Sequence, residues 1–324
     1  MDEDRPRVSA VITAYNSAAF IDEAIESVLA QTHPVDEIVI VDDGSTDDTH
    51  LRAAAYASAG VRYIFQKNQG AGAARNRGIA ETTGELITFL DSDDIWLPDK
   101  IGQQVEYLNA HSEMALVSGA AWWWDAAQNE RWLKPVDIDR HTAMTREIVV
   151  RNFVGNPSKV MVRRAVLEVT GPFDPTLRWG QDWELWIRII RQAPIGFISA
   201  PLIIYRWHEA SLSHYKQWER LSLLLEISRR AITSFQPAWR RPLLWAQAWS
   251  STELARALYA RQHQFAWRRQ LWHAGRALCA YPFDNAAGKV KLLGRILSGD
   301  IHPYLKRGYK NRRSADDALY HSVD

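Results

Sequence analysis

Along the first two hundred residues the apolar positions switch between two periods. VSAVITAY (8–15) and EIVIVDD (37–43) are continuous apolar runs that end in polar residues, as strands buried on both faces do. Between them AFIDEAIESVLAQ (19–31) sets Phe20, Ile21, Ala24, Ile25, Val28 and Leu29 on one helical stripe. A helix THLRAAAYASAG, a strand VRYIFQ, a glycine-opened helix AGAARNRGIAETTG and a strand ELITFL continue the alternation. This order predicts an α/β fold, a mostly parallel sheet with helices on both faces. Sheets of that kind bind ligands at the carboxyl ends of their strands. Here those ends read TAYN (13–16), DDGSTDD (42–48), QKNQGAG (66–72) and DSDD (91–94).

From Tyr215 the strand signals stop. Trp218, Leu221, Leu225, Ile232 and Phe235 suit one helix face, and Trp245/Trp249 and Leu254/Leu258 pair four apart on the next. Further on, Trp267, Leu271, Ala274 and Leu278 form a stripe opposite Arg269, Arg276 and Trp272. The expected division is therefore a sheet domain over 1–214 and a helical extension over 215–324.

Charge sharpens that division. The whole chain of 324 residues carries 39 basic and 38 acidic side chains, yet the part from Tyr215 onward has a surplus of eleven positive charges and the part before it a deficit of ten. Three uses fit a basic, Trp-rich helical tail: a hairpin packed on the sheet domain, a homodimer surface, or a peripheral layer on an anionic membrane. No nucleic-acid motif accompanies the charge, so nucleic acid is not expected as a partner. The acidic start MDEDRPR is unlike a secretory signal, and no apolar run nears the roughly 18 residues that span a bilayer, so the expected location is the cytosol or the inner face of the plasma membrane. Cys279 is the single cysteine and excludes an internal disulfide.

The strand ends hold the chemistry. In LITFLDSDD three acids crowd around Ser92 after five residues of a largely apolar run. Asp94 alone would serve a helix start before IWLPDK. If the segment stays extended, Asp91 and Asp93 share one side and can share a divalent cation. In DDGSTDD, Gly44 turns and Ser45 or Thr46 caps the next helix, but two adjacent acids at a buried strand end carry a desolvation cost that a base or ribose would offset. QGAGAARNRG mimics a dinucleotide fingerprint with Gly70 and Gly72, but Arg75 stands at the third glycine, where it would block close helix packing and could instead reach a phosphate.

VITAYN, VDDGSTDDT, NQGAGAARNRGI, FLDSDDIW, GPFDPTLRWGQDWELWIRI and YRWHEASLS, in this order through residues 7 to about 213, resemble the family 2 inverting glycosyltransferases of the GT-A fold. That resemblance implies a Rossmann-like, mostly parallel sheet and a nucleotide-diphosphate sugar donor. Thr13, Tyr15, Asp42 and Asp43 would hold its nucleotide, with Arg75 near the base or diphosphate. Asp91 and Asp93, flanking Ser92, would be the DxD pair that reaches the ribose and, through Mn2+ or Mg2+, the diphosphate. His208 would close over the donor as a further metal or diphosphate contact through Asp93's cation. Asp182 would be the general base, although the family shows Glu-Asp where this chain has Gln181-Asp182; Gln181 would leave room for a differently hydrogen-bonded acceptor.

The chemistry fits these residue types. Breaking a sugar–diphosphate bond leaves negative charge on the departing nucleotide, which a divalent ion stabilises. An inverting transfer is one displacement, so the acceptor hydroxyl, on a glycan or lipid-linked saccharide, needs one positioned carboxylate. Trp122, Trp123 and Trp124 end a strand at the expected acceptor cleft, and Arg188 is expected to anchor its helix or a phosphate. A nucleotidyltransferase would need a glycine- and arginine-rich phosphate loop where this chain has AYNSAAF. A silent sugar-binding scaffold would not need Asp91, Asp93 and Asp182 together.

Overall fold

A computed structural model describes residues 5–136, 148–208, 217–234, 241–262 and Arg276. The chain divides into two units, Met1–Tyr215 and Lys216–Asp324.

The first unit runs β1 (Val8–Ala14), α1 (Ile21–Leu29), β2 (Glu37–Asp42), α2 (Thr49–Ala54), β3 (Val61–Phe65), α3 (Ala71–Ala80), β4 (Leu86–Asp91), β5 (Ile95–Trp96), α4 (Lys100–Ala110), β6 (Leu116–Asp125), β7 (Glu130–Lys134), β8 (Met161–Arg163), α5 (Arg164–Thr170), α6 (Gln181–Ile190) and β9 (Ile195–Trp207). Among the described residues nine strands form one sheet, ordered β3-β2-β1-β4-β8-β6-β9-β5, with β7 paired to β6. β3, β2, β1 and β4 are mutually parallel, as are β6 and β9, while β8 runs antiparallel between the two blocks. The fold is thus mixed α/β with a mostly parallel sheet flanked by helices.

The chain winds outward from β1 to β3 and then returns to the other side of β1 for β4. That reversal opens a crevice at the carboxyl ends of β1 and β4, the place where such sheets bind ligands. Register makes Thr13 and Asp91 direct neighbours there, and Ala14 and Asp42 neighbours on the other side.

Each face of the sheet is covered for a sequence-level reason. Ile21, Ala24, Ile25 and Val28 of α1 are buried on the face that carries Ile12, Ile40 and Leu90. On the opposite face α3 lies against Val11, Val39 and Val41, and its closest approach is at Gly78: a Cβ there would stand 2.1 Å from Val11 Cγ1. Close helix packing was expected to fail at Arg75. It is achieved instead one turn later, by Gly78, which frees Arg75 to reach along the sheet end.

Two local expectations change. Ile95 and Trp96 pair with Ile204 and Ile203 of β9 as a short strand, and the helix begins only at Lys100, so Asp94 does not start it. Ser45 and Thr46 do not cap α2. They bond Asn16 in the β1–α1 loop, and Asp47 accepts the Thr49 N–H at 3.0 Å.

In the second unit α7 (Gln217–Thr233) and α8 (Arg241–Gln262) pack together. Ile227, Ala231 and Ile232 are buried on α7, and Leu244 and Ala248 on α8, with Trp245 and Trp249 half-buried beside them. Trp249 donates to Glu253, and the Arg276 guanidinium lies 4.9 Å from the Trp249 ring centre. Phe235, the stripe from Trp267 to Leu278 with its opposite face apart from Arg276, and Cys279 lie outside the described residues, as do the side chains of Trp218, Leu254 and Leu258. Among the described residues no helix is long and apolar enough to cross a membrane.

Candidate functional site

At the crevice β4 ends on Asp91, and a turn closed by the Asp94 N–H on the Asp91 carbonyl (2.9 Å) follows it. The extended segment expected here is absent, so Asp91 and Asp93 diverge. Asp91 Oδ1 accepts from Arg75 Nη2 at 2.6 Å and from Thr13 Oγ1 at 3.4 Å. Asp93 Oδ2 lies 3.1 Å from Nε2 of His208, whose ring stacks on Phe20 at 5.0 Å. Both carboxylates keep open surface, 27% and 32% of their side chains.

The third acid, Asp94, is 1% exposed. It accepts from the Arg206 N–H and from Asn156 Nδ2, and burial, with the charges of Asp93 and Asp91 adding, pushes its carboxyl well above the ordinary range. Arg206 completes the support. Its Nε donates to the Asp93 carbonyl, its Nη2 pairs with Glu23 at 2.8 Å, and its guanidinium sits over Phe20 and Trp124. Neither Asp94 nor Arg206 stood out as a site residue in the sequence. Arg206 is two positions before His208, and a buried arginine beside a cluster of acids is the signal that could have found it.

Ser92 and Asp42 are enclosed by the chain's own groups. Ser92 is 7% exposed and its hydroxyl meets Ser17 Oγ at 2.6 Å. Asp42 is wholly buried and accepts from the Ser45 N–H and the Tyr63 hydroxyl, whose pKa is raised by burial and by that carboxylate. Asp43 accepts from Gln66 Nε2, from the Gln69 N–H and from the Gly70 N–H at the start of α3. The desolvation cost of these two acids is met by the chain's own donors, so no ligand is needed to explain them. Thr13 is 9% exposed, and Tyr15 is open to solvent at 53%.

Asp182 stands half-buried in the first turn of α6, and Asn152 Nδ2 donates to its Oδ2 at 3.0 Å. Trp183, Trp186 and Ile187 carry the core face of that helix. Gln181 is buried, donates to the Leu177 carbonyl and packs on Gly72 of α3. Arg188 binds Glu184 and the carbonyls of Thr170, Gly171 and Pro172, which anchors the helix and removes Glu184 as a free base. Asn156 on Asp94 and Asn152 on Asp182 are four residues apart, so one loop of at most about 14 Å of chain links the DxD turn to Asp182.

The family model for glycosyl transferase family 2 matches residues 9–171, the stretch that carries β1, β2 and β4 but not Asp182, Arg206 or His208. The chain belongs to glycosyl transferase family 2. A glycosyltransferase of Nostoc sp. is 30% identical over 323 residues, covering 90% of this chain and 94% of its own length. A Bacillus subtilis protein named as a teichuronic acid biosynthesis glycosyltransferase, TuaG, is 31% identical across 65% of this chain and 83% of its own. Against two Rickettsia glycosyltransferases the chain spans only 34% of their length. Among solved structures, S. aureus TarS 1-349 in complex with UDP superposes with a TM-score of 0.63 at 18% identity over 98% of this chain and 94% of that one. The mannosyltransferase PcManGT of Pyrobaculum calidifontis, in complex with GDP-Man and Mn2+, gives 0.63 at 21% identity over 96% and 84%. These likenesses establish the GT-A type of fold.

A family 2 site with a divalent ion would need donors for it. Among the described residues no group of three His, Cys, Asp or Glu side chains is assembled for a metal. Asp93 and His208 nevertheless supply an adjacent carboxylate and imidazole, and such a pair fits an ion that takes its other ligands from a diphosphate and water.

Proposed function

We propose that this family 2 member is an inverting transferase that moves a sugar from a nucleoside-diphosphate donor to a hydroxyl of a glycan or lipid-linked acceptor. The observation that carries the reading is the single loop whose Asn152 holds Asp182 and whose Asn156 holds the DxD turn. It supports a reading in which Asp182 as base and the turn that faces the phosphates share one short, hydrogen-bonded support.

The exposed Tyr15 ring stacks on the nucleotide base and Asp43, with a lone pair still to offer, accepts from it. Asp42 and Ser92 shape the surrounding loops without touching the donor. Asp91, held by Arg75 and Thr13, takes the ribose hydroxyls, and the Arg75 guanidinium faces the diphosphate. A divalent ion, Mn2+ or Mg2+, held by Asp93 and His208 would neutralise the charge that grows on the leaving nucleotide. Asp182 accepts the proton of the acceptor hydroxyl as that oxygen bonds to the anomeric carbon. Asn152 fixes the direction in which the carboxylate points.

UDP in the TarS structure, GDP-Man with Mn2+ in PcManGT, and the teichuronic acid pathway in the name of TuaG support the donor class, the ion and a role in surface polysaccharide synthesis. We assign the reaction to the cytosolic face of the plasma membrane, with the basic tail as a peripheral contact.

The test is a panel of UDP-, GDP- and dTDP-sugars assayed for hydrolysis and transfer with Mn2+ or with EDTA, and product anomers read by NMR. One donor should turn over with the ion and give the inverted anomer. Tight nucleotide binding without turnover of any donor would favour a silent binding protein.

A further inference from the structure

An amine with no counter-charge among the described residues lies on the loop whose Asn152 holds Asp182. Lys159 follows Asn156 and Ser158, which bond Asp94 and the Asp91 N–H. Its Cε and Nζ lie 2.5 and 2.6 Å from where a Cβ on Gly155 would stand, so its end rests against the backbone of that glycine. That glycine, at φ +94°, accepts from Trp186 Nε1 at 3.0 Å and donates to Asn152 Oδ1 at 3.0 Å. Asn152 in turn holds Asp182.

Among the described residues the Lys159 ammonium has neither a hydrogen bond nor an ion pair. Burial, with the charge of Lys134 adding, pulls its pKa down to about 7. Lys134 is exposed on β7, its Nζ 4.2 Å from the Trp123 ring centre, and it pairs with no carboxylate of the described residues. A buried amine that also feels a second like charge is costly unless an anion joins it.

We propose that Lys159, assisted by Lys134 at the rim, is an oxyanion subsite for the acceptor, taking a carboxylate or phosphate group carried by the saccharide whose hydroxyl Asp182 deprotonates. The assignment to the acceptor rests on the reading of Asp182 as the base. The donor diphosphate has its own partners in Arg75, Asp93 and His208. Lys159 instead shares its loop with the base's hydrogen-bond partner, and the base meets the acceptor.

The experiment compares p-nitrophenyl β-D-glucuronide with the matching neutral glucoside, titrated into the full chain with UDP and Mn2+ present. The glucuronide should bind about tenfold tighter or more, the size of a charge-assisted hydrogen bond. Lys159→Met should erase the preference, Lys159→Arg should keep much of it, and Lys134→Met should weaken it less. UDP affinity and melting temperature should stay at parental values in all three. Inorganic phosphate should displace the glucuronide from the parent but not bind Lys159→Met. Equal binding of the two saccharides, or a preference that survives Lys159→Met, overturns the proposal. So does weakened UDP binding in Lys159→Met, which would make the amine a donor contact. Asp182→Asn should retain the glucuronide preference, so a failure of the base assignment would show in turnover and not in this titration.

Discussion

Asp42 ends β2 with Asp43 next to it, and Asp91 ends β4 with Asp93 two residues on, on the two sides of β1; in the sequence the two pairs look alike, yet their surroundings are opposite. The first pair is enclosed by the chain's own donors: Ser45, Tyr63, Gln66, Gln69 and Gly70 all point at it. The second pair meets one arginine, one threonine and one imidazole and keeps open surface. A carboxylate surrounded by protein N–H and O–H groups holds the fold. One held from a single side, beside an imidazole, is placed to act on something else. Glu37, at the far end of β2, belongs with the first kind, since Ser9, Thr83 and Gly84 all donate to it.

The largest effect expected from this division is on catalysis. Asp182→Asn keeps the shape and the Asn152 contact but removes basicity, so transfer should drop about 100-fold or more while nucleotide binding persists. Near-parental turnover would move the base elsewhere, and Glu184 would remain an unsuitable replacement while Arg188 holds it.

Next comes stability at the enclosed pair. Asp43→Asn turns an NH2 group toward the donors of Gln66, Gln69 or Gly70 and should cost about 1–3 kcal/mol in urea unfolding. Asp91→Asn should cost less, because its partners are fewer and wetter. Equal losses in the two variants would erase the distinction.

A smaller effect is expected from pH. Burial raises the Glu37 pKa, but the hydrogen bonds from Ser9, Thr83 and Gly84 outweigh it and bring the carboxyl to about 2. A depressed pKa means stability that is present above the unfolded value of about 4.3 and is lost as pH falls toward about 2. Glu37→Gln should therefore flatten the melting-temperature curve across that acid range, and an unchanged curve would show that Glu37 is not held as described.

The smallest effect concerns the tail. Each Lys or Arg near an anionic surface contributes about 1 kcal/mol, so the full chain should pellet with anionic vesicles at low salt and leave them at high salt. Arg276 is already engaged with Trp249, which lowers the number of charges on offer. A supernatant that retains the full chain would make the helices a packing or dimer element.

The alternation of strands and helices in the first block and the polar carboxyl ends of its strands were legible because apolar runs and helical stripes are local signals; the strand order was not, because it is set by pairing between distant segments. The surroundings of the acids were not. His208 reaches Asp93 across 115 positions and Arg206 reaches Asp94 across 112, and no periodicity encodes such meetings. Gln181 stands where the family shows Glu and was expected to leave room for a differently hydrogen-bonded acceptor, but successive helix residues point about 100° apart, and its side chain turns to Leu177 and Gly72. Asp42 and Asp43 could not be told from Asp91 and Asp93 by residue type, since only the folded loops bring donors to one pair and leave the other open.

The central claim, that the open carboxylate beside His208 and not the enclosed pair answers to the cation and diphosphate, is tested most directly by calorimetric titration. UDP and GDP would be titrated into the parent and into Asp93→Asn, each with Mn2+ and with EDTA, and both melting temperatures recorded. The account predicts that Mn2+ tightens binding of one nucleotide to the parent, that Asp93→Asn binds it equally weakly with and without the ion, and that the two proteins melt alike. Parental, ion-dependent affinity in Asp93→Asn would contradict it.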